Sequence, residues 1–339
     1  MIIKNNFLFI FLLSISAFTQ KTKKKDTARI ISYVDKLIIK VNMDTQTDGY
    51  TFLDNSDNSY FHIQPNDESR LTLSLDYEFI GASIGYSPKF LTSNNDNNRK
   101  GESSFTNFSF RFFLGNWTQG IQYSKIQGYY IENTRDFMPE WAKGKDPYIQ
   151  FPNLKFVTWK GTTSYVVNPN FSLRNIVYQT EWQRKSAGSF IPELEYGYTQ
   201  MSNQEGTIKS ITYIYDIELA ASYYYTFVIH KNWFISPFIS PSVGIRFSKD
   251  KEEPKNNTIS EELEKHQINR LKGGLQLGYS SRKIIFGANI NFNVNWYNEG
   301  ESTSIINDKS YAKLYFGYRF NAPKFIQKPF KWVNKQFGQ

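Results

Sequence analysis

From Ile284 the stretch IIFGANINFNVNW sets Ile284, Phe286, Ala288, Ile290, Phe292, Val294 and Trp296 on one side. Gly287, Asn289, Asn291, Asn293 and Asn295 stand on the other. Alternation of this kind marks a β-strand whose two faces meet different surroundings. LTLSLDYEF repeats it, with Leu71, Leu73, Leu75, Tyr77 and Phe79 against Thr72, Ser74, Asp76 and Glu78. IGASIGYS sets Ile80, Ala82, Ile84 and Tyr86 against Gly81, Ser83, Gly85 and Ser87, so the phase flips after Phe79 and predicts a tight turn. NFSFRFFLG carries Phe108, Phe110, Phe112 and Leu114, and beyond a turn at Gly115-Asn116 a strand runs from Trp117 to about Tyr130. Further strands are predicted over 154–167, 171–182, 190–200, 217–227, 233–247, 271–279 and 311–320. Residues 28–38 read as a short helix or the lead-in to a strand.

The connections alternate in length. Short ones are expected near 115–116, 168–170, 229–232 and 280–283, and long polar ones at 45–69, 88–103, 133–152, 249–267 and 298–309. Tight turns at one end and long loops at the other fit an outer-membrane barrel, with turns in the periplasm and loops outside. The strands commonly run about 10 to 14 residues, enough for a tilted crossing that needs roughly 9–11. Trp117, Trp233, Trp296, Tyr297 and Phe320 fall near strand ends, where interfacial aromatic girdles belong. A barrel of a dozen strands is too wide for side chains to fill, so the apolar face belongs to lipid and the Asn/Gly face to a wet lumen. An open edge in hydrocarbon would leave backbone groups without partners, so the first strand must meet the last. The expected fold is all-β: a transmembrane antiparallel up-and-down β-barrel of about 12 strands, with 14 as the alternative.

Composition agrees. Aromatic residues make up 17% of the 339 residues, yet the mean hydropathy is −0.52, and no uninterrupted run of roughly 18 apolar residues suggests a spanning helix. Cysteine is absent, which excludes disulfides, a thiolate metal site, a catalytic thiol and a lipoprotein anchor. The net charge of +9 is scattered except at Lys21–Lys25 and the last residues. With no recognisable binding motif beside it, this charge does not argue for nucleic acid. At the amino terminus Lys4, the apolar run from Phe7 to Ile15, and Ala17 and Thr19 form the layout of a secretory signal peptide over 1–19. The expected organisation is then a periplasmic segment 20–35, a barrel 36–320 and a basic, aromatic tail 321–339. The expected location is the outer membrane of a Gram-negative bacterium. The partners implied are outer-membrane lipid, periplasmic chaperones and the barrel-assembly machinery.

The segment NPNFSLRNIVYQTEWQRKSAGSF, 168–190, resembles the distinctive stretch of an uncharacterised exported family of the Bacteroidota, domain of unknown function family 4421. YVDKLIIKVNM at 33–43, GASIGYSPKFL at 81–91, FVIHKNWFISPFISPSVGI at 227–245 and YFGYRFNAPKF at 315–325 support the likeness. The resemblance implies an outer-membrane-type barrel and supplies no catalytic residues.

Candidate chemistry is sparse. His62, His230 and His266 fall in a polar loop, a tight turn and a charged loop, without a Ser or Asp in a recognised spacing. Ser186 and Ser189 in SAGS lack the frame of a nucleophile elbow. Asp54, Asp57, Asp67 and Glu68 lack EF-hand spacing, so no metal or other cofactor is expected. The residues singled out are possible lumen charges opposite the apolar stripes: Asp76, Glu78, Arg111, Glu195, Glu218, Lys272 and Arg319. They would brace neighbouring strands or tune ion selectivity. In the tail, Lys324, Lys328, Lys331 and Lys335 alternate with Phe325, Phe330, Trp332 and Phe337, and Pro329 is placed to start a short amphipathic helix at the periplasmic rim. The functions expected are a passive pore for small solutes or a non-conducting scaffold or surface-binding barrel; an enzyme acting on lipid ranks last.

Overall fold

A computed structural model describes residues 29–45, 48–54, 59–253, 263–299, 303–306 and 309–337. The leader lies outside the described residues. In chain order the strands are β1 (Ile30–Ser32), β2 (Lys36–Asp44), β3 (Tyr50–Asp54), β4 (Tyr60–Gln64), β5 (Arg70–Tyr77), β6 (Ile80–Tyr86), β7 (Ser104–Leu114) and β8 (Trp117–Ile131). They continue with β9 (Gln150–Tyr165), β10 (Glu181–Gln183), β11 (Ala187–Glu205), β12 (Ile208–His230), β13 (Trp233–Glu253), β14 (Glu264–Ser280), β15 (Ile284–Glu299), β16 (Thr303–Ile306) and β17 (Lys309–Asn321).

Twelve of these close a ring: β2, β5, β6, β7, β8, β9, β11, β12, β13, β14, β15 and β17, with β17 returning to β2. Every pair is antiparallel. The closing ladder runs from Lys313↔Asp44 to Asn321↔Lys36, and the Lys36 ammonium caps it on Asn321 Oδ1 at 2.8 Å. Among the described residues the ring leaves no open strand edge, the condition for strands to cross a bilayer. No helix among the described residues is long and apolar enough to cross.

The alternation sorts as the sequence predicts. Ile39, Val41, Leu73, Leu75, Ile84, Phe108, Phe110, Leu219, Ile239, Val243, Leu275, Ile290, Leu314 and Phe316 are all exposed on the outside. Asn289, Asn291, Asn293 and Asn295 line the interior. A continuous apolar skin of this kind is stable only in lipid: the protein is a transmembrane barrel.

Three features differ from expectation. First, β11 and β12 run on past the ends expected for them at 200 and 217, as far as a two-residue turn at 206–207, so one outer connection is tight. The 23 residues of β12 extend roughly 75 Å against an apolar band about 25 Å tall, so this wall rises well above the membrane. Second, the expected loops 45–69 and 298–309 contain strands. β15, β16, β3, β4 and β8 pair in succession, and β15 lies six places from β8 on the ring of twelve. This ribbon therefore crosses the mouth as a roof. Its underside is apolar: Tyr50 stacks on Phe156 at 4.9 Å, and Tyr50 and Phe52 pack on fully buried Ile268. Third, no wall strand forms over 171–182; only the short β10 begins at its end, paired with β1 apart from the ring.

Candidate functional site

In place of that strand, residues 166–186 leave the wall at the end of β9 and fold into the barrel before β11 begins. Local chemistry explains why. Ser172 caps the helix Leu173–Val177, its Oγ accepting from Asn175 N at 2.9 Å and donating to Glu181 Oε2 at 2.6 Å. Gln183 is the hub: Oε1 accepts from Ser172 N at 2.8 Å, and Nε2 donates to the carbonyls of Asn170 at 2.9 Å and Lys185 at 2.8 Å. Phe171, Leu173 and Ile176 pack with Val166 and Ile191 into a small apolar core. A strand would have scattered these groups over two faces; a compact turn-and-helix satisfies them together.

The segment acts as a stopper at the end where both termini of the ring lie. It meets widely separated parts of the wall. Tyr178 packs edge-on against Phe113 of β7 at 4.3 Å, Phe171 lies 6.4 Å from Tyr224 of β12, and Arg319 Nη2 of β17 donates to Gln179 O at 2.6 Å. Lys40 of β2 donates to Tyr178 O at 2.9 Å and Gln179 Oε1 at 2.8 Å. Gln179 holds a left-handed φ of 56°, which turns the chain beneath these two cations. From below, β1 pairs with β10 and Tyr33 N donates to Thr180 O at 2.9 Å. Above the stopper lies a polar cavity of about 700 Å³, lined by residues of all twelve ring strands together with Leu173, Ile176, Val177, Tyr178 and Gln179.

The sequence-predicted charges fall into two groups. Asp76, fully buried, is 3.0 Å from Arg111 and 3.2 Å from Lys40, and Arg111 stacks over the Tyr178 ring at 4.6 Å. Arg319 joins this group through Gln179 and the Tyr33 ring, 4.3 Å away. On the facing wall Lys272 bonds Glu195 at 2.5 and 2.6 Å. Arg270 bridges Glu195 at 3.2 Å and Glu218 at 2.9 Å, and Ser242 Oγ donates to Glu218 at 3.0 Å. Glu78 is the exception. It sits in the β5–β6 turn with φ 54°, its amide bonded to Val34 O at 2.8 Å, so it does not line the cavity. The alternation stops two residues earlier than the sequence suggests, because the turn takes Glu78 and Phe79.

Sequence reasoning missed Lys40, Arg270, Glu193 and the pair Asp216–Arg246, joined by two bonds of 2.7 Å. Lys40 and Arg270 were legible, since each stands in the inward phase of its strand. Asp216 lay in the stretch left unassigned.

Outside the membrane, the acids considered for calcium have other partners. Asp67 accepts from Arg70 at 2.7 and 3.0 Å, and Glu68 from Lys100 at 2.6 Å; Asp57 lies outside the described residues. Burial raises the Asp67 carboxyl above its usual range against the opposing pull of Arg70. The serines of SAGS bond nearby backbone: Ser186 Oγ accepts from Val228 N at 2.9 Å, and Ser189 Oγ accepts from Asn168 N at 3.0 Å. His62 bonds Thr51 Oγ1 at 2.8 Å and His266 lies 3.3 Å from Glu264.

Among solved structures the chain is similar to the outer membrane protease OmpT of Escherichia coli, at 5% identity and a TM-score of 0.37, covering 85% of this chain and 98% of that one. It is also similar to the β-domain of the Bordetella autotransporter BrkA, at 10% identity and a TM-score of 0.34 over 84% and 99% of the two chains. LpxR from Salmonella typhimurium gives 13% identity and a TM-score of 0.33 over 83% and 99%. No curated protein matches the sequence. The family model described as Domain of unknown function (DUF4421) matches residues 24–320, a span that takes in the ring from β2 almost to the end of β17 and the whole stopper. The chain belongs to this family.

Proposed function

We propose that the protein is a stoppered outer-membrane barrel of a Gram-negative bacterium, non-conducting in its resting form and non-enzymatic, that works by binding a polar solute in its chamber or a partner at its loops. The observation that carries this reading is the set of contacts holding 168–183 inside the barrel, with Lys40 and Arg319 above and β1 below. The chamber suits a polar guest. Asn289, Asn291, Asn293 and Asn295 line it together with charged groups of both networks, a surface that offers hydrogen bonds to a polar solute. Export by the leader 1–19, escort by periplasmic chaperones and insertion by the barrel-assembly machinery complete the proposal.

A passive pore is the competing reading, and the polar lining of the chamber favours it. The two separate in planar bilayers. The purified wild type is expected to be silent, and replacement of 168–185 by a short Gly/Ser linker to give conductance steps. Regular steps from the wild type would overturn the stoppered reading in favour of the pore.

A further inference from the structure

The carboxyl-terminal helix Lys324–Phe337 has a place on the barrel that fixes what it faces. Pro329 lies inside the helix instead of starting it; the helix begins earlier, where Ile326 N and Gln327 N bond Pro323 O at 3.0 and 3.1 Å, and Pro329 forgoes one internal bond. Phe330 packs edge-on against Tyr77 at 4.8 Å and against Phe79 at 5.4 Å. Tyr77 continues the lipid-facing phase of β5, yet only 7% of it is exposed, against 51% for Leu73 and 46% for Leu75. The helix therefore lies outside the wall, on the rim of the lipid-facing skin, and not beneath the lumen.

The distances agree. From β17 the chain must pass β2 to reach β5, two strand spacings or about 9–10 Å. The six residues from Lys324 to Phe330 rise about 9 Å along a helix. The helix runs tangentially along the rim at the end of the barrel that carries the tight turns and both termini.

With Phe330 turned to the barrel, Phe325 and Trp332 remain 74% and 64% exposed. Seven residues apart, they share one side of the helix. Lys324 and Lys328, one turn apart, form a second stripe beside them, and the helix sequence holds four lysines and no acid. A rim position, an exposed apolar side turned away from the barrel and a cationic stripe beside it are the features of an interfacial helix. We propose that this helix lies in the headgroup layer of the periplasmic leaflet, with Phe325 and Trp332 dipping toward acyl chains and the lysines engaging anionic phospholipid. The inference rests on the membrane placement proposed above but not on the stopper.

The absence of cysteine makes site labelling clean. Phe325→Cys carries a bimane in the full-length protein, reconstituted in phosphatidylcholine vesicles with or without phosphatidylglycerol. Lipid nitroxides placed near the headgroups should quench it more than nitroxides deep in the acyl region, and more strongly with phosphatidylglycerol present. Replacing Lys324 and Lys328 by Gln should weaken the phosphatidylglycerol-dependent association by about tenfold or more, given the strength of near-surface lysines. If that variant fails to fold, raising the salt on the parent protein should abolish the same dependence. A bimane that stays unquenched in both vesicles overturns the proposal and leaves a soluble partner as the occupant of this face. Quenching indifferent to phosphatidylglycerol and salt overturns the anionic-headgroup part. A label at Ile290, on the outer face of β15, separates the causes: if it too escapes the deep nitroxides, the membrane placement itself has failed.

Discussion

Lys40 and Asp76 sit diagonally across the β2–β5 ladder with Nζ 3.2 Å from Oδ2, and both are sealed from solvent. The same ammonium reaches the stopper through Tyr178 O and Gln179 Oε1. One cation thus ties the wall's most deeply buried acid to the segment that blocks the barrel. Removing it leaves Asp76 with Arg111 alone and releases two bonds to the stopper.

Lys40→Met is therefore expected to lower the unfolding free energy, toward the lower end of the about 3–5 kcal/mol that breaking a buried pair costs. Urea titration of the folded barrel checks this. In bilayers the variant should show intermittent openings where the wild type shows none. Unchanged stability together with silence would mean that Lys40 does not hold the stopper.

Arg319→Leu should loosen a different set of amides. The guanidinium donates to Gln179 O and Ser280 Oγ and covers Tyr33. Its loss should speed hydrogen exchange in Ile30–Ser32 and Glu181–Gln183, while the long β11–β12 ladder keeps its protection. Uniform loss of protection would point to a global defect instead.

Gly161 and Tyr196 are cross-strand partners on β9 and β11, and the ring lies flat over the glycine. A Cβ there would stand 2.1 Å from Tyr196 Cε2 and 2.3 Å from Cζ. Tyr196 OH accepts from Gln119 Nε2 at 2.8 Å, so the ring cannot swing away without breaking a buried hydrogen bond. Gly161→Val is expected to destabilise by about 1–3 kcal/mol, read as a lower temperature at which the unboiled form disappears from gels. Gly206→Ala is the contrast. Nothing lies near its Cβ, but φ is 57°, so only the smaller cost of a left-handed alanine applies, of order 1 kcal/mol.

The roof should soften in acid. His62, beyond the membrane on β4, is held below its ordinary pKa by burial, opposed by Glu132. Its ring bonds Thr51 on the paired strand β3. A depressed folded-state pKa means that the contribution is fully present above the unfolded value of about 6.5 and is lost as pH falls through the folded value. Hydrogen exchange over Tyr50–Asp54 and Tyr60–Gln64, corrected for intrinsic rates, should accelerate between pH 7 and pH 5. His62→Gln should flatten that dependence. Equal acceleration in the variant would show that another group senses the acid.

The barrel was legible because lipid and lumen impose opposite chemistries on alternate residues, and IIFGANINFNVNW records both. The stopper was not. Phe171, Leu173, Ile176 and Trp182 offer a strand-like supply of apolar residues, and only the Ser172 cap and the run of Asn, Gln and Glu hint that this stretch bonds to itself. The roof was hidden for another reason: Tyr50, Phe52 and Ile63 lie in short strands set among polar residues, and the β16, β8 and Ile268 contacts that tie them to the wall are far away in sequence. Of the predicted lumen charges, Asp76, Arg111, Glu195, Glu218, Lys272 and Arg319 belong to two networks that no one-dimensional pattern could assemble. Glu78 was misplaced because the two-residue turn after Tyr77 takes it.

The sharpest test of the inside-out barrel is a nitroxide scan of single cysteines from Ile284 to Trp296 in proteoliposomes, read by collision with oxygen, which concentrates in the acyl region. The lipid-facing stripe predicts oxygen maxima at Ile284, Phe286, Ile290 and Phe292, with minima at Asn289, Asn291 and Asn293. Maxima on the asparagines, or no period of two at all, would contradict it.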